Sequence, residues 1–169
     1  MNETVTALLN EQINKEFYSA YLYLDISNYY DDLDLDGYAH YYMVQAQEER
    51  DHALLFLQYM QSNGLKVTLE AIGKPDKFFD SVLAPLEAAA EHERFVTDSI
   101  NAIYHEAYQA KDYRTMKFLD WFVNEQREEE ENADKMINRY KLFGTDPKGL
   151  YSLDHEYAAR VYAAPSLVL

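Results

Sequence analysis

The amino-acid sequence predicts an all-α fold: a four-helix bundle with one long crossover connection and a short fifth helix near the C-terminus. Apolar residues recur at alternating steps of three and four along four long segments, which is the period of a helix with one buried face. Gly and Pro, which interrupt helices, number only five and four in 169 residues. The longest stretch without a helical period separates the second segment from the third, as a crossover between two helical hairpins would.

Composition limits the classes of function. At 169 residues the chain is long enough for one domain with a substantial core, so 1–169 is predicted to be a single domain. A net charge of −15 argues against nucleic acid or an anionic membrane as partner. The absence of Cys excludes disulfides and thiolate metal sites. No signal peptide and no apolar run of about 18 residues is visible, so a cytoplasmic protein is expected.

The first hairpin is predicted from residues 3–30 and 37–62. The polar turn between them ends at Gly37, and Asn63-Gly64 ends the second helix. Residues 64–81 then contain two Gly and one Pro. If extended at about 3.3 Å per residue, this stretch spans the length of a helix of roughly 40 Å, which suits a crossover.

The second hairpin is predicted from residues 82–110 and 113–142. Pro85 falls in the first turn of the third helix, where proline is tolerated, and Gly144 follows the fourth helix. A fifth helix is expected at about 146–160, followed by an apolar tail at 161–169. The tail is predicted to be either disordered or buried between subunits, and its exposed apolar surface favours an assembly contact.

Each long helix carries polar side chains near the middle of its apolar face. Glu49 and His52 are three residues apart, so they share a face of the second helix; alone, this pair would be read as an ion pair. Acids at one level of all four helices would repel one another unless cations neutralised them, and two divalent ions would cancel four charges. Oxygen and imidazole donors without thiolates suit iron, manganese or zinc. This polar layer consists of Glu16, Glu49, His52, Glu93, Gln126 and Glu129.

Over residues 1 to about 160 the chain resembles the non-haem bacterial ferritins. The similarity rests on Leu-Asn-Glu-Gln-Ile-Asn-Lys-Glu16-Phe-Tyr-Ser-Ala-Tyr-Leu-Tyr23, Gln-Glu-Glu-Arg-Asp-His52, Glu-His-Glu93 and Phe-Leu-Asp-Trp121-Phe-Val-Asn-Glu-Gln-Arg-Glu-Glu-Glu130. A Glu from each of two helices and a Glu-x-x-His from the others is the known ligand set of ferritin-like di-iron proteins, which this chain matches in part. The resemblance implies a shell of twenty-four subunits that oxidises Fe(II) with dioxygen or hydrogen peroxide and stores ferric mineral.

The resemblance also implies roles for individual residues. Site A would consist of Glu16, Glu49 and His52. Site B would share Glu49 and add Glu93 and Glu129, with Gln126 close by. A third iron site would use Glu48, Glu125, Glu128 and Glu129. Tyr23 would donate a hydrogen bond to a ligand or supply an electron, and the resemblance suggests that Trp121 is an electron donor, although simple aromatic packing explains both nearly as well.

The fourth helix distinguishes this chain from its haem-containing and oxygenase relatives. Those proteins have a second Glu-x-x-His where this chain has Gln126 and Glu129, and an amide should hold the second ion less tightly. That favours iron as a substrate. Arg50 occupies the position of the bacterioferritin haem ligand, so no haem is expected. The remaining alternatives are a di-iron oxidase or peroxidase with fixed metals, a DNA-protecting mini-ferritin and a purely structural bundle.

Other polar residues are given structural roles. Glu130 and Glu131 are predicted to lie on a solvated helix face. Four histidines lack a partner at ligand spacing and are expected to be surface or structural residues, namely His40, His92, His105 and His155.

Overall fold

The computed structural model describes residues 2–169 and confirms the all-α prediction. The four long helices are α1 (Glu3–Asp31), α2 (Asp36–Ser62), α3 (Leu83–Gln109) and α4 (Tyr113–Arg139), and the short one is α5 (Pro147–Tyr157). No strand occurs in the described range. None of its helices combines the length and the apolar character that a membrane span requires.

Two hairpins form the bundle: α1 packs along α2, and α3 along α4. The crossover between α2 and α3 runs beside α1 and is fixed to it by side chains. Asn10 donates to the carbonyl oxygen of Thr68 at 3.0 Å and accepts from the Thr68 N–H at 2.8 Å. Gly64 begins the crossover with φ of 68°, a conformation that most other residues adopt only under strain.

The core is divided into two clusters, and each long helix contributes to both. One cluster is aliphatic and phenylalanine-rich, with Leu9, Phe56, Ile100 and Phe122 among its members. The other is rich in tyrosine and includes Tyr23, Tyr30, Tyr38, Tyr42 and Tyr157. The polar layer lies between them along every helix, because the aliphatic members precede it on α1 and α4 and follow it on α2 and α3. Four mid-helix positions therefore meet at one level.

The C-terminal region differs in detail from the predicted helices. The α-helix predicted to reach 142 ends at Arg139, and a π-helical turn, Tyr140–Gly144, continues it. The last helix is shorter than the predicted 146–160. Its Asp154 accepts from the N–H groups of Gly37 and Tyr38 at 2.9 and 3.0 Å, so α5 caps the free N-terminus of α2.

The tail runs back along α2 and α4 of its own subunit. Arg160, the residue before the tail, donates to Glu48 at 2.5 Å. Within the tail, Ser166 accepts from Trp121 at 3.0 Å, and Leu167 packs against the aliphatic cluster. The sequence analysis predicted that the tail would be disordered or buried between subunits, and neither prediction includes packing against its own helices. Val161 and Val168 remain 82% and 90% exposed, and the assembly contact of the tail stays a prediction.

Candidate metal centre

Glu16 is buried on α1 with one carboxylate oxygen unpaired. Gln12, one turn earlier, donates from Nε2 to Glu16 Oε1 at 2.8 Å. Glu16 Oε2 and Gln12 Oε1 have no hydrogen-bond partner within residues 2–169. Buried acceptors are nearly always paired, so this oxygen marks a place where a donor or a cation belongs.

Glu49 and His52 converge on α2 as their spacing predicts. His52 Nδ1 lies 3.2 Å from Glu49 Oε2, and both side chains are buried. Gln45, one turn before Glu49, donates from Nε2 to Glu49 Oε1 and to Glu129 Oε2, both at 2.9 Å. One amide thus uses both of its hydrogens to hold a carboxylate of α2 and one of α4 in place.

Glu93 receives donors on both carboxylate oxygens. Tyr23 donates to Oε1 from α1, and Gln126 donates to Oε2 from α4 at 3.1 Å. Tyr23, Glu93 and Gln126 are all buried. Partners of this kind fix the orientation of a ligand before a metal binds.

These side chains form two overlapping groups with metal-ligand geometry. Glu16, Glu49 and His52 each offer a ligand atom within 4.8 Å of the others, and so do Glu49, Glu93 and Glu129. The groups contain the residues predicted for sites A and B, with Glu49 in both, and iron binding by them stays a prediction. Gln126 presents its amide nitrogen to Glu93 and, in this orientation, donates a hydrogen bond where a ligand would offer oxygen.

The environment of the layer opposes ionisation of three of its four carboxyl groups and raises the pKa of each. Burial, with the neighbouring Glu49 carboxylate, raises the pKa of Glu16 and of Glu93 to about 8. Burial and the same neighbours raise the pKa of Glu129 well above its ordinary value. Apo side chains of this kind retain protons that a divalent cation would displace.

Glu49 and His52 behave as the one ionised pair. Burial acts to raise the pKa of Glu49, but the charge and hydrogen bond of His52 outweigh it and lower the pKa. Burial acts to lower the pKa of His52, yet Glu49 raises it to about 10. The His52 imidazolium therefore balances the Glu49 carboxylate, and the other three carboxyl groups have no cationic partner of their own in the layer within residues 2–169.

The predicted third-site residues are not brought together in the same way. Arg160 binds Glu48, and Arg127 pairs with Glu128, whose side chain is 61% exposed. Glu125 lies nearer the layer, with Oε1 at 4.0 Å from His52 Nε2. The third site stays a prediction.

The Trp121 ring packs edge-on against His52, with centroids 5.6 Å apart.

Several contacts of the centre escaped the sequence analysis. Gln12 and Gln45 lie one turn from a predicted ligand on the same helix, a spacing that the sequence shows. Glu130, predicted to be solvated, is half-buried and accepts a hydrogen bond from Thr97 on α3. His92 is buried and lies 2.7 Å from Ser19, in line with the structural role predicted for it. The contacts of Glu130 and His92 join residues distant in sequence.

Comparison with known proteins identifies the family. The model of the ferritin-like domain matches residues 6–143. The bacterial non-heme ferritin of Campylobacter jejuni is 40% identical over 91% of this chain and 92% of its own length. A probable bacterial non-heme ferritin-like protein of Haemophilus influenzae is 35% identical over 92% and 94%.

Solved structures agree with the sequence comparison. An open-pore ferritin of Archaeoglobus fulgidus superposes with a TM-score of 0.93 at 40% identity, covering 95% of this chain and 98% of that one. An engineered closed form of the same archaeal ferritin gives 0.93 at 39% identity, covering 96% and 99%. The fold, the polar layer and these similarities lead to one conclusion: the chain belongs to the ferritin family.

Proposed function

We propose that this protein stores iron, oxidising Fe(II) at a centre inside each subunit and depositing the ferric product within a shell of identical chains. The observation that carries the proposal is the pair of ligand groups that share Glu49 and come from one chain. If all four buried carboxyl groups were ionised, a single imidazolium would face them, so the fully ionised layer requires cations for balance. The relative from Campylobacter jejuni is named a bacterial non-heme ferritin, which supports storage.

The proposed reaction is a two-electron step with Fe(II) as substrate. Two ions would lie about 3.5–4 Å apart, as in other two-metal sites. Each ion loses one electron, and the pair reduces dioxygen to hydrogen peroxide with uptake of two protons, or hydrogen peroxide to two waters. Glu16 and Glu93 release protons as the ions bind, while Gln45 holds Glu49 and Glu129 in position.

The cavity beside the centre argues against an oxidase that acts on an organic substrate. Its volume is about 20 Å³, and its walls include Tyr23, Gln45, Glu93 and Glu129. That space suits roughly one water molecule, far less than the several hundred Å³ of a small-molecule pocket. A mini-ferritin would place its ligands between subunits, whereas both groups here lie within one chain.

The shell is proposed on the strength of the family. Twenty-four copies are the expected number, and the cytoplasm is the expected location. The −15 charge of each chain would concentrate cations near the acids of such an assembly.

Iron loading tests the proposal. The purified, metal-free assembly is given increasing Fe(II) in air, passed through a desalting column and assayed for iron per chain. Storage predicts retention of far more than two ions per chain, with an electron-dense mineral inside the particle. Retention of two or fewer ions, without mineral, would instead support the oxidase with fixed metals. Glu131→Ala, on the exposed side of α4, is the matched control and should load normally.

A further inference from the structure

The amide of Gln126 is surrounded by oxygen atoms of α3. Its Nε2 lies 3.1 Å from Glu93 Oε2, 3.3 Å from the Glu93 carbonyl oxygen and 3.4 Å from Thr97 Oγ1. An amide nitrogen donates two hydrogens, and an amide oxygen only accepts. When Glu93 is ionised, as it must be to bind a metal, turning the amide over would bring Oε1 against two Glu93 oxygens that only accept, so the observed orientation is preferred while Thr97 also accepts.

Glu130 determines that Thr97 accepts. The Thr97 hydroxyl donates to Glu130 Oε1 at 2.5 Å. A hydroxyl has one hydrogen, so Oγ1 has only lone pairs left for Gln126. Glu130 follows Gln126 by four residues on α4 and lies on the same helix face. Glu130, Thr97, Gln126 and Glu93 therefore form a hydrogen-bond chain. Glu130 accepts from Thr97, so Thr97 accepts from Gln126, and the Gln126 nitrogen in turn donates to Glu93.

The hydrogen-bond chain ends at Glu93, a carboxylate of the metal group Glu49, Glu93 and Glu129 (site B). Tyr23 donates to Glu93 Oε1, while Gln126 donates to Oε2, so the carboxylate plane is set from two sides. The first metal group has no such connection to α3, since Glu16, Glu49 and His52 all come from α1 and α2. A substitution that breaks the hydrogen-bond chain should therefore weaken metal binding at site B and leave metal binding at site A unchanged.

We infer that Thr97 and Glu130 are positioning residues for the second metal ion: they hold Gln126 as a hydrogen-bond donor to Glu93, and Gln126 serves this role without binding the metal. The inference rests on the proposed function, because it concerns the same pair of ions. Loss of an outer partner of this kind typically lowers metal affinity about 10–100-fold. The amide that distinguishes α4 of this chain thus acts through Glu93.

The surroundings of Thr97 and Glu130 make substitution practicable. Both side chains are half-buried beside a cavity of about 230 Å³, which also contacts Gln126 and Arg127. Because the cavity has room for water, replacing either residue leaves no polar group sealed in the core without a partner. The variants are expected to fold and assemble.

Metal titration of the assembled, metal-free protein tests the inference. Co(II) is the probe. Calorimetry and visible absorption measure the binding of each of the two ions. Thr97→Val keeps the side-chain shape but removes the hydroxyl, and Glu130→Ala removes its acceptor. Each should weaken one of the two ions about 10–100-fold and leave the other unchanged. Thr97→Ser retains the hydroxyl and should bind like the parent, as should Glu131→Ala.

Three results would overturn the inference. Thr97→Val could bind both ions as the parent does, both ions could weaken equally, or Thr97→Ser could be as defective as Thr97→Val. The control is that the parent protein binds two Co(II) ions and that Glu49→Ala loses them. If the control holds, any of these three results rejects the positioning role and leaves the proposed function intact. A parent protein that binds no pair of ions in the polar layer rejects both.

Discussion

Neighbouring acids on α2 and α4 have opposite environments. Glu49 and Glu129 point into the polar layer, whereas Glu48 and Glu128 lie on an outer acidic face. The outer acids have arginine partners, Arg160 for Glu48 and Arg127 for Glu128. For the four carboxylates of the layer, the ion-pair partner within residues 2–169 is His52 alone.

The difference shows where the protein leaves a charge to be supplied from outside. On the outer face the fold provides its own cations, so those acids are satisfied without a metal. Inside the layer it provides amide donors, which orient carboxylates but do not neutralise them. A buried negative charge without a counter-ion is costly, and the raised pKa values of Glu16 and Glu93 reflect that cost.

Removing the shared ligand should have the largest effect. Glu49→Ala deletes a carboxylate from both metal groups, so both ions lose a ligand. The rate of Fe(II) oxidation, followed by ferric absorbance, should fall by more than the roughly 100-fold that loss of an outer partner costs. Glu131→Ala, on the exposed side of α4, should oxidise Fe(II) at close to the parent rate. Equal losses in the two variants would remove the distinction between the regions.

Removing a carboxylate from the layer should stabilise the metal-free protein, although it weakens metal binding. Glu16 has a pKa of about 8 in the folded protein against 4.5 when exposed, so its carboxyl group destabilises the fold increasingly above pH 4.5 and levels off above about 8. Glu16→Gln should therefore raise the free energy of unfolding at pH 7.5 by about 4 kcal/mol, and the gain should disappear near pH 4. Urea unfolding of the metal-free protein at both pH values measures it. A destabilised variant at pH 7.5 would contradict the electrostatic picture.

The Tyr23 hydroxyl should have an intermediate effect. Tyr23→Phe keeps the ring among its aromatic neighbours but removes the donor to Glu93 Oε1. Site B should weaken about 10-fold while site A is unchanged, as Co(II) titration would show. Tyr30→Phe is the control, because the Tyr30 hydroxyl donates to the carbonyl of Val82, away from the layer. If Tyr23→Phe bound both ions normally, packing alone would account for Tyr23.

Opening the outer face should have the smallest effect. Arg160→Ala frees Glu48 near Glu125 and should add one weak Co(II) site per chain. Titration at high Co(II) measures the added site. The double variant Arg160→Ala, Glu48→Gln should remove it again. An unchanged stoichiometry in Arg160→Ala would show that arginine is not what keeps this face free of metal.

The sequence was sufficient for the fold and for the composition of the layer because both depend on helical period. Glu49 and His52 share a face at a separation of three, and Glu16 and Glu93 interrupt otherwise apolar faces near the middle of their helices. Contacts between distant segments follow no period. The path of the tail, which brings Arg160 to Glu48, and the pairing of Thr97 with Glu130 required the three-dimensional structure.

The most direct test of the account is a crystal structure after anaerobic soaking in Fe(II), with anomalous scattering at the iron edge. The account predicts two iron peaks in every subunit, one among Glu16, Glu49 and His52 and one among Glu49, Glu93 and Glu129. Peaks confined to the surface acids, with the layer free of iron, would contradict it.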